Sequence, residues 1–291
     1  MSKKIALVLS GGGARGLAHI GVIEELEKRG YQINSIAGTS MGALVGGVYA
    51  LGKMEAFKNW MISLDKRKVF SLVDFTLSSN GLVKGDRVLN AMKEFIPDTN
   101  IEDLEIDYSA TAADITNHKE IVYRSGSLYD AIRASIAIPT VLTPVIKGDA
   151  IIVDGGVINN IPIKNVKRTE GDLLVAVYVN ADTPVKKPPV SSQEEKKTES
   201  IYQKWLAEFY ENLHKILPTS KKEKMGYFSL LDETLTSASL QLAKLTIEKG
   251  APDVLINVSR DACGTYDFYM AKELIEIGRY AAITTLDEMN L

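Results

Sequence analysis

Two short apolar runs, each ending in a cluster of glycines and each followed by helical spacing, constrain this chain more than anything else in it. "KIALVL" (4–9) runs into "SGGGARG" (10–16), and "INSIAG" (33–38) runs into "TSMG" (39–42). An unbroken apolar run of that length is what a strand buried on both faces requires. After the first turn, Ile20, Val22, Ile23 and Leu26 fall near helical spacing, with Gly30 as a stop. After the second, "ALVGGVYALGK" (43–53) is a helix of small residues able to pack closely on a sheet. Further strand candidates at 108–115, 120–126, 150–156, 173–179 and 253–259 alternate with helical stretches such as 128–138. The alternation predicts a three-layer α/β/α fold with a mostly parallel central sheet. Ligands in such folds bind beyond the carboxyl ends of the strands, where both glycine turns lie.

Length and composition bound the rest. The 291 residues, 45% of them hydrophobic, suffice for a full core, and the chain is expected to form a single α/β domain over 1–291. A formal charge of -3 argues against nucleic acid as a partner. The lone cysteine, Cys263, excludes an internal disulfide and suits a reducing compartment. The N-terminal apolar run is too short for a signal peptide or a spanning helix, so a cytoplasmic protein is expected, with any membrane contact made from the surface.

The first turn reads in two ways. Gly11, Gly13 and Gly16 satisfy the dinucleotide fingerprint G-x-G-x-x-G, and the same turn can present bare N–H groups to an oxyanion. A dinucleotide site needs an acidic residue at the end of the next strand, about 20 residues on; residues 35–43 contain none. What stands there is Gly38-Thr39-Ser40-Met41-Gly42, the G-x-S-x-G nucleophile elbow in its strand-turn-helix setting. Ser40 then needs a base. His19, His118 and His214 stand in no triad-like context, whereas Asp154 ends a strand and is followed by Gly155 and Gly156. In a parallel sheet, a strand's carboxyl end would bring Asp154 to the ligand face.

Together these residues resemble the patatin-like phospholipases, serine acyl hydrolases with a Ser-Asp dyad, and more closely the compact bacterial members than the plant storage proteins. "GGGARG" (11–16) is similar to the family's oxyanion loop, "GTSMG" (38–42) to its elbow and "DGG" (154–156) to its aspartate motif, in the family's order. "ASIAIPTVLTPV" (134–145) and "NNIP" (159–162) resemble the flanking segments. Met41 stands where many members carry a small residue. The resemblance covers about 4–180. It implies the patatin-like fold rather than that of the α/β-hydrolases, and a fatty-acyl ester as substrate. It also implies Ser40 as nucleophile, Asp154 as base, and an oxyanion hole from the N–H groups of Gly12, Gly13 and Ala14, with no metal and no cofactor. Arg15 is expected either to contact a lipid phosphate or to form a surface salt bridge. A nucleotide-binding regulator and a non-catalytic adaptor stay open as alternatives on the same fold.

Residues 182–226 read as an insertion, and 227–291 as a closing helix-strand-helix. Within the insertion, 201–217 carries Ile201, Trp205, Phe209 and Leu213 on one helical stripe, with Tyr202 and Tyr210 nearby. Lys186, Lys187, Lys196, Lys197, Lys221, Lys222 and Lys224 flank it. That suits a lid, a peripheral membrane anchor or a packed helix, at home or on a second subunit. Oligomeric state is not legible. Residues 54–74, with Trp60, Met61 and Phe70, are a second candidate wall for an acyl channel or ordinary core.

Overall fold

A computed structural model describes residues 3–72, 75–78, 81–186 and 227–291. The stripe of 201–217, His214 and the lysines from Lys187 to Lys224 lie outside them.

The first unit is β1 (Lys3–Leu9), a 3-10 turn (Gly13–Leu17) and α1 (Ala18–Lys28); the second is β2 (Tyr31–Thr39) and α2 (Met41–Ala50). Next come α3 (Met54–Ser63), α4 (Lys66–Ser71), a β3–β4 hairpin (Phe75–Ser78, Gly81–Val83) and α5 (Asp86–Lys93). The sheet then resumes with β5 (Asp107–Asp114) and β6 (Lys119–Tyr123), followed by α6 (Leu128–Ser135). β7 (Val145–Lys147), β8 (Ala150–Asp154) and β9 (Leu173–Ala181) precede α7 (Tyr227–Gly250), β10 (Val254–Ser259) and α8 (Ala271–Glu288).

The sheet has eight strands in the order β10-β9-β1-β2-β5-β8-β7, with β6 also on β5. β10, β9, β1, β2 and β5 are mutually parallel. Helices cover both faces, giving the three-layer α/β/α arrangement. On one face Ile5, Leu7 and Leu9 of β1 meet Ile20, Ile23 and Leu26 of α1 and Leu274 and Ile275 of α8, all buried. On the other, Ala6 and Val8 meet Ile161, Ile163 and Ala243 of α7. β1 thus buries successive side chains on opposite faces, which is why its sequence shows no polar alternation. In the 54–74 region Met61 is buried, Trp60 packs between Phe57 and Phe95, and Phe70 is exposed.

One expectation is corrected. β8 is antiparallel to β5, so Asp154 does not reach the site along the common strand direction. β5 extends past the end of β2. Its residues 107–111 pair with β2 and 112–114 with β8, while β6 holds the opposite edge along 110–114. β2 and β8 therefore share one edge of β5 and meet end to end, Thr39 opposite Thr111 and Asp154 opposite Ala112. Strand direction leaves no trace in apolar periodicity, which reports only which faces are buried.

Candidate active site

Ser40 follows Thr39 at this junction and caps α2 with φ 54° and ψ -124°, a conformation that non-glycine residues rarely hold. The closeness of strand and helix there explains the glycines. A Cβ on Gly42 would lie 2.2 Å from the carbonyl oxygen of Leu9, and one on Gly38 2.5 Å from the backbone of Gly42. Met41 turns its side chain against Gly16, where a Cβ would stand 2.5 Å from Met41 Cγ, so the bulk at the variable elbow position is accommodated by the loop before α1.

The elbow is also tied down from the side. Ser40 N–H donates to Ser135 Oγ at 2.8 Å, and Ser135 Oγ–H donates to the Thr111 carbonyl at 2.6 Å. Ser135, at the end of α6, is fully buried.

Asp154 ends β8 with 5% exposure. Burial dominates its ionisation and pushes its pKa up to about 6. The Ser40 hydroxyl and the Gly156 N–H act the other way, favouring the carboxylate by hydrogen bonding. The Gly156 bond to Asp154 Oδ1 is 2.7 Å long. Gly155 lets the chain turn against the Thr111 carbonyl, 2.4 Å from where its Cβ would be. Gly156 in turn accepts from Ser239 Oγ of α7 at 2.7 Å.

The third component is the loop after β1. Its entry is held by the Gly11 N–H donating to the Asn160 carbonyl at 2.9 Å and by Asn180 Nδ2 donating to the Gly11 carbonyl at 2.7 Å. Among the described residues the amides of Gly12 and Gly13 meet no acceptor. Gly13 has φ 57° and its α-carbon faces the Thr265 carbonyl. Two residues depart from expectation. The Ala14 N–H donates to Thr265 O at 2.8 Å, so it is committed to the fold and drops out of the oxyanion donors. Arg15 points inward: Nε donates to Asn180 Oδ1 and Nη1 to the Cys263 carbonyl, both at 3.1 Å. It fastens the loop to β9 and to the turn before α8, and among the described residues it forms no salt bridge. Burial lowers its pKa from the usual guanidinium value.

Neither described histidine supplies a base. His19 is fully buried, Nε2 lies 2.9 Å from the Ser10 carbonyl, and burial lowers its pKa to about 4, so it is a neutral donor holding the peptide before Gly11. His118 sits at φ 53° in the exposed β5–β6 turn. No group of three or more His, Cys, Asp or Glu among the described residues is placed to hold a metal ion. Where a dinucleotide fold would carry its ribose-binding acid, Ser40 stands.

Sequence reasoning passed over Ser135, Asn160, Asn180 and Thr265. Ser135 and Asn160 lie inside the flanking segments "ASIAIPTVLTPV" and "NNIP", a signal of position without role; Asn180 and Thr265 have none, since each acts across more than 160 residues of chain.

A buried serine on a strained elbow, a buried carboxyl beside it and a loop with two unengaged amides are the parts of a serine acyl-transfer site. The chain belongs to the patatin-like phospholipase family, whose description matches residues 7–167. It is 32% identical over its whole length to an uncharacterized NTE family protein of Mycobacterium tuberculosis, of which it covers 93%. It is also 32% identical, over 61% of this chain and 10% of the other, to a lysophospholipase of Candida glabrata. Among solved structures it is similar to VipD from Legionella pneumophila, with a TM-score of 0.47 and 15% identity over 99% of this chain and 67% of that one.

Proposed function

We propose that the protein is a serine lipid acyl hydrolase, cleaving fatty-acyl esters of phospholipids or lysophospholipids through a Ser40–Asp154 dyad. The observation that carries this is the end-to-end meeting of β2 and β8, which sets a buried carboxyl of pKa about 6 beside the hydroxyl of a strained serine. An unperturbed aspartate titrates near 3.9, poorly matched to neutral pH. Burial brings it close to the operating pH, where a general base works best.

In this reading the Asp154 carboxylate takes the Ser40 Oγ proton as Oγ attacks the ester carbonyl carbon. The oxyanion is received by the N–H groups of Gly12 and Gly13. Collapse breaks the carbon–oxygen ester bond, and the leaving alkoxide takes the proton from Asp154. Water then gives a proton to Asp154 and adds to the acyl-serine, and the second collapse returns that proton to Ser40 and frees the fatty acid. The lysophospholipase relative supports a lipid ester as substrate class. No described helix is long and apolar enough to cross a membrane.

The test is hydrolysis of short- and long-chain p-nitrophenyl esters by wild type, Ser40→Ala and Asp154→Asn, with mass spectrometry after an organophosphonate. Turnover by wild type, a loss of more than about 10⁴-fold in Ser40→Ala and one adduct on Ser40 are expected. Equal hydrolysis by wild type and Ser40→Ala would rule the reading out.

A further inference from the structure

Ser40 sits in a conformation that must be held against its own strain, and the fully buried hydroxyl of Ser135 is placed to hold it. That one oxygen accepts the Ser40 N–H at 2.8 Å and donates to the Thr111 carbonyl at 2.6 Å. Thr111 is no arbitrary anchor. It is the β5 residue opposite Thr39, its neighbour Ala112 is opposite Asp154, and its carbonyl lies against Gly155. The Ser135 hydroxyl thus joins the backbone of the serine to the strand position where the serine and aspartate strands meet.

Resting on the dyad reading above, we propose that Ser135 is the positioning residue of the reaction. It fixes Ser40 Oγ relative to Asp154 by satisfying the serine's own amide, and it takes that amide out of the set that could receive the oxyanion. It touches neither substrate nor the reacting atoms. Without it the buried Ser40 N–H loses its partner and the Thr111 carbonyl loses this donor, and the elbow is free to relax toward ordinary φ values. A displacement of about 1 Å at a nucleophile is enough to lower the chemical step about 100-fold.

The experiment compares the full chain with Ser135→Ala, Ser135→Cys and Ser135→Thr, each checked by thermal melting, in p-nitrophenyl ester kinetics and in the rate of Ser40 phosphonylation. Ser135→Ala and Ser135→Cys are expected to lose about 10- to 100-fold in kcat and in labelling rate with KM within about twofold, whereas Ser135→Thr, which keeps the hydroxyl, recovers most of kcat. Cysteine fills the site with a bulkier atom that hydrogen-bonds poorly, so a wild-type melting temperature with reduced kcat in both the alanine and the cysteine variant assigns the loss to the hydrogen bonds and not to packing. A folded Ser135→Ala or Ser135→Cys with wild-type kcat and labelling overturns the proposal alone. So does a loss confined to KM, or a Ser135→Thr no better than Ser135→Ala. If wild type is neither active nor labelled at Ser40, the dyad reading falls, and this proposal with it.

Discussion

The two glycine turns look interchangeable in sequence and are opposites in structure. At the elbow, Gly38 and Gly42 are there for want of bulk: strand and helix touch, and the serine's own amide is bound to Ser135. In the loop 11–16, the amides of Gly12 and Gly13 meet no acceptor among the described residues, while the positions around them are pinned by His19, Asn160, Asn180, Arg15 and Thr265. Both turns leave little room for a Cβ at these glycines, and the difference lies in the amides, bound at the elbow and without an acceptor among the described residues in the loop.

The difference can be broken most severely at Gly42. A Cβ there would lie 2.2 Å from Leu9 O and 2.7 Å from Ser10 O, main-chain atoms that cannot step aside. Gly42→Ala should cost more than about 4 kcal/mol or prevent folding, read by urea denaturation. At Gly12 the added methyl would meet the Val179 side chain, with φ at 171°, which any residue adopts, so Gly12→Ala should fold and lose activity in the hydrolysis assay.

Asp154→Asn should lower ester hydrolysis about 10³-fold or more and yet raise stability at pH 7. The folded pKa lies near 6 against an ordinary 3.8, so the fold disfavours the charged form. The penalty is present above pH 6, fades as pH falls toward 3.8 and is of order 1–3 kcal/mol at neutrality. The higher melting temperature is the measurement. For the same reason wild-type kcat/KM should fall tenfold per unit below an inflection at about pH 6, as the base is protonated. A profile flat to pH 4.5 would remove Asp154 as the base.

His19 has the opposite sign. Its folded pKa is about 4 against 6.5 unfolded, so the unfolded chain gains protons first and stability is lost as pH falls from 6.5 to 4. Over roughly pH 4–6 the two buried groups offset each other. His19→Gln, which keeps a donor to Ser10 O, should flatten acid destabilisation, and Asp154→Asn should steepen it, by melting temperature against pH. The smallest effect is expected at Gly30, whose φ of 81° faces open space. Gly30→Ala should cost only about 1 kcal/mol and leave hydrolysis unchanged.

Ser40 and Asp154 stand out as candidates because each has a local signature, a G-x-S-x-G spacing and an acid before two glycines, and the strand-helix alternation was legible from apolar runs of fixed length. The direction of β8 was not, since a strand buried on both faces reads the same either way. Nor was the fate of individual amides. Ala14 and Gly13 are adjacent and equally plausible donors, and only the arrival of Thr265 from the other end of the chain distinguishes them. Arg15 misled similarly, because an arginine in a glycine loop advertises charge while its partners, Asn180 and Cys263, are invisible from position 15.

β1 precedes the other described strands and lies inside the sheet, between β2 and β9. The loop it carries is closed by residues 160, 180 and 265, all synthesised long afterwards. On the proposed mechanism a nascent chain carries Ser40 well before it carries Asp154 or the frame around the glycines, and hydrolytic competence would arrive only when the C-terminal third has docked. Conversely, a nick or partial melt that releases α7 to α8 should abolish the proposed hydrolysis while β1, β2 and β5 still stand, making that activity a sensitive reporter of C-terminal integrity.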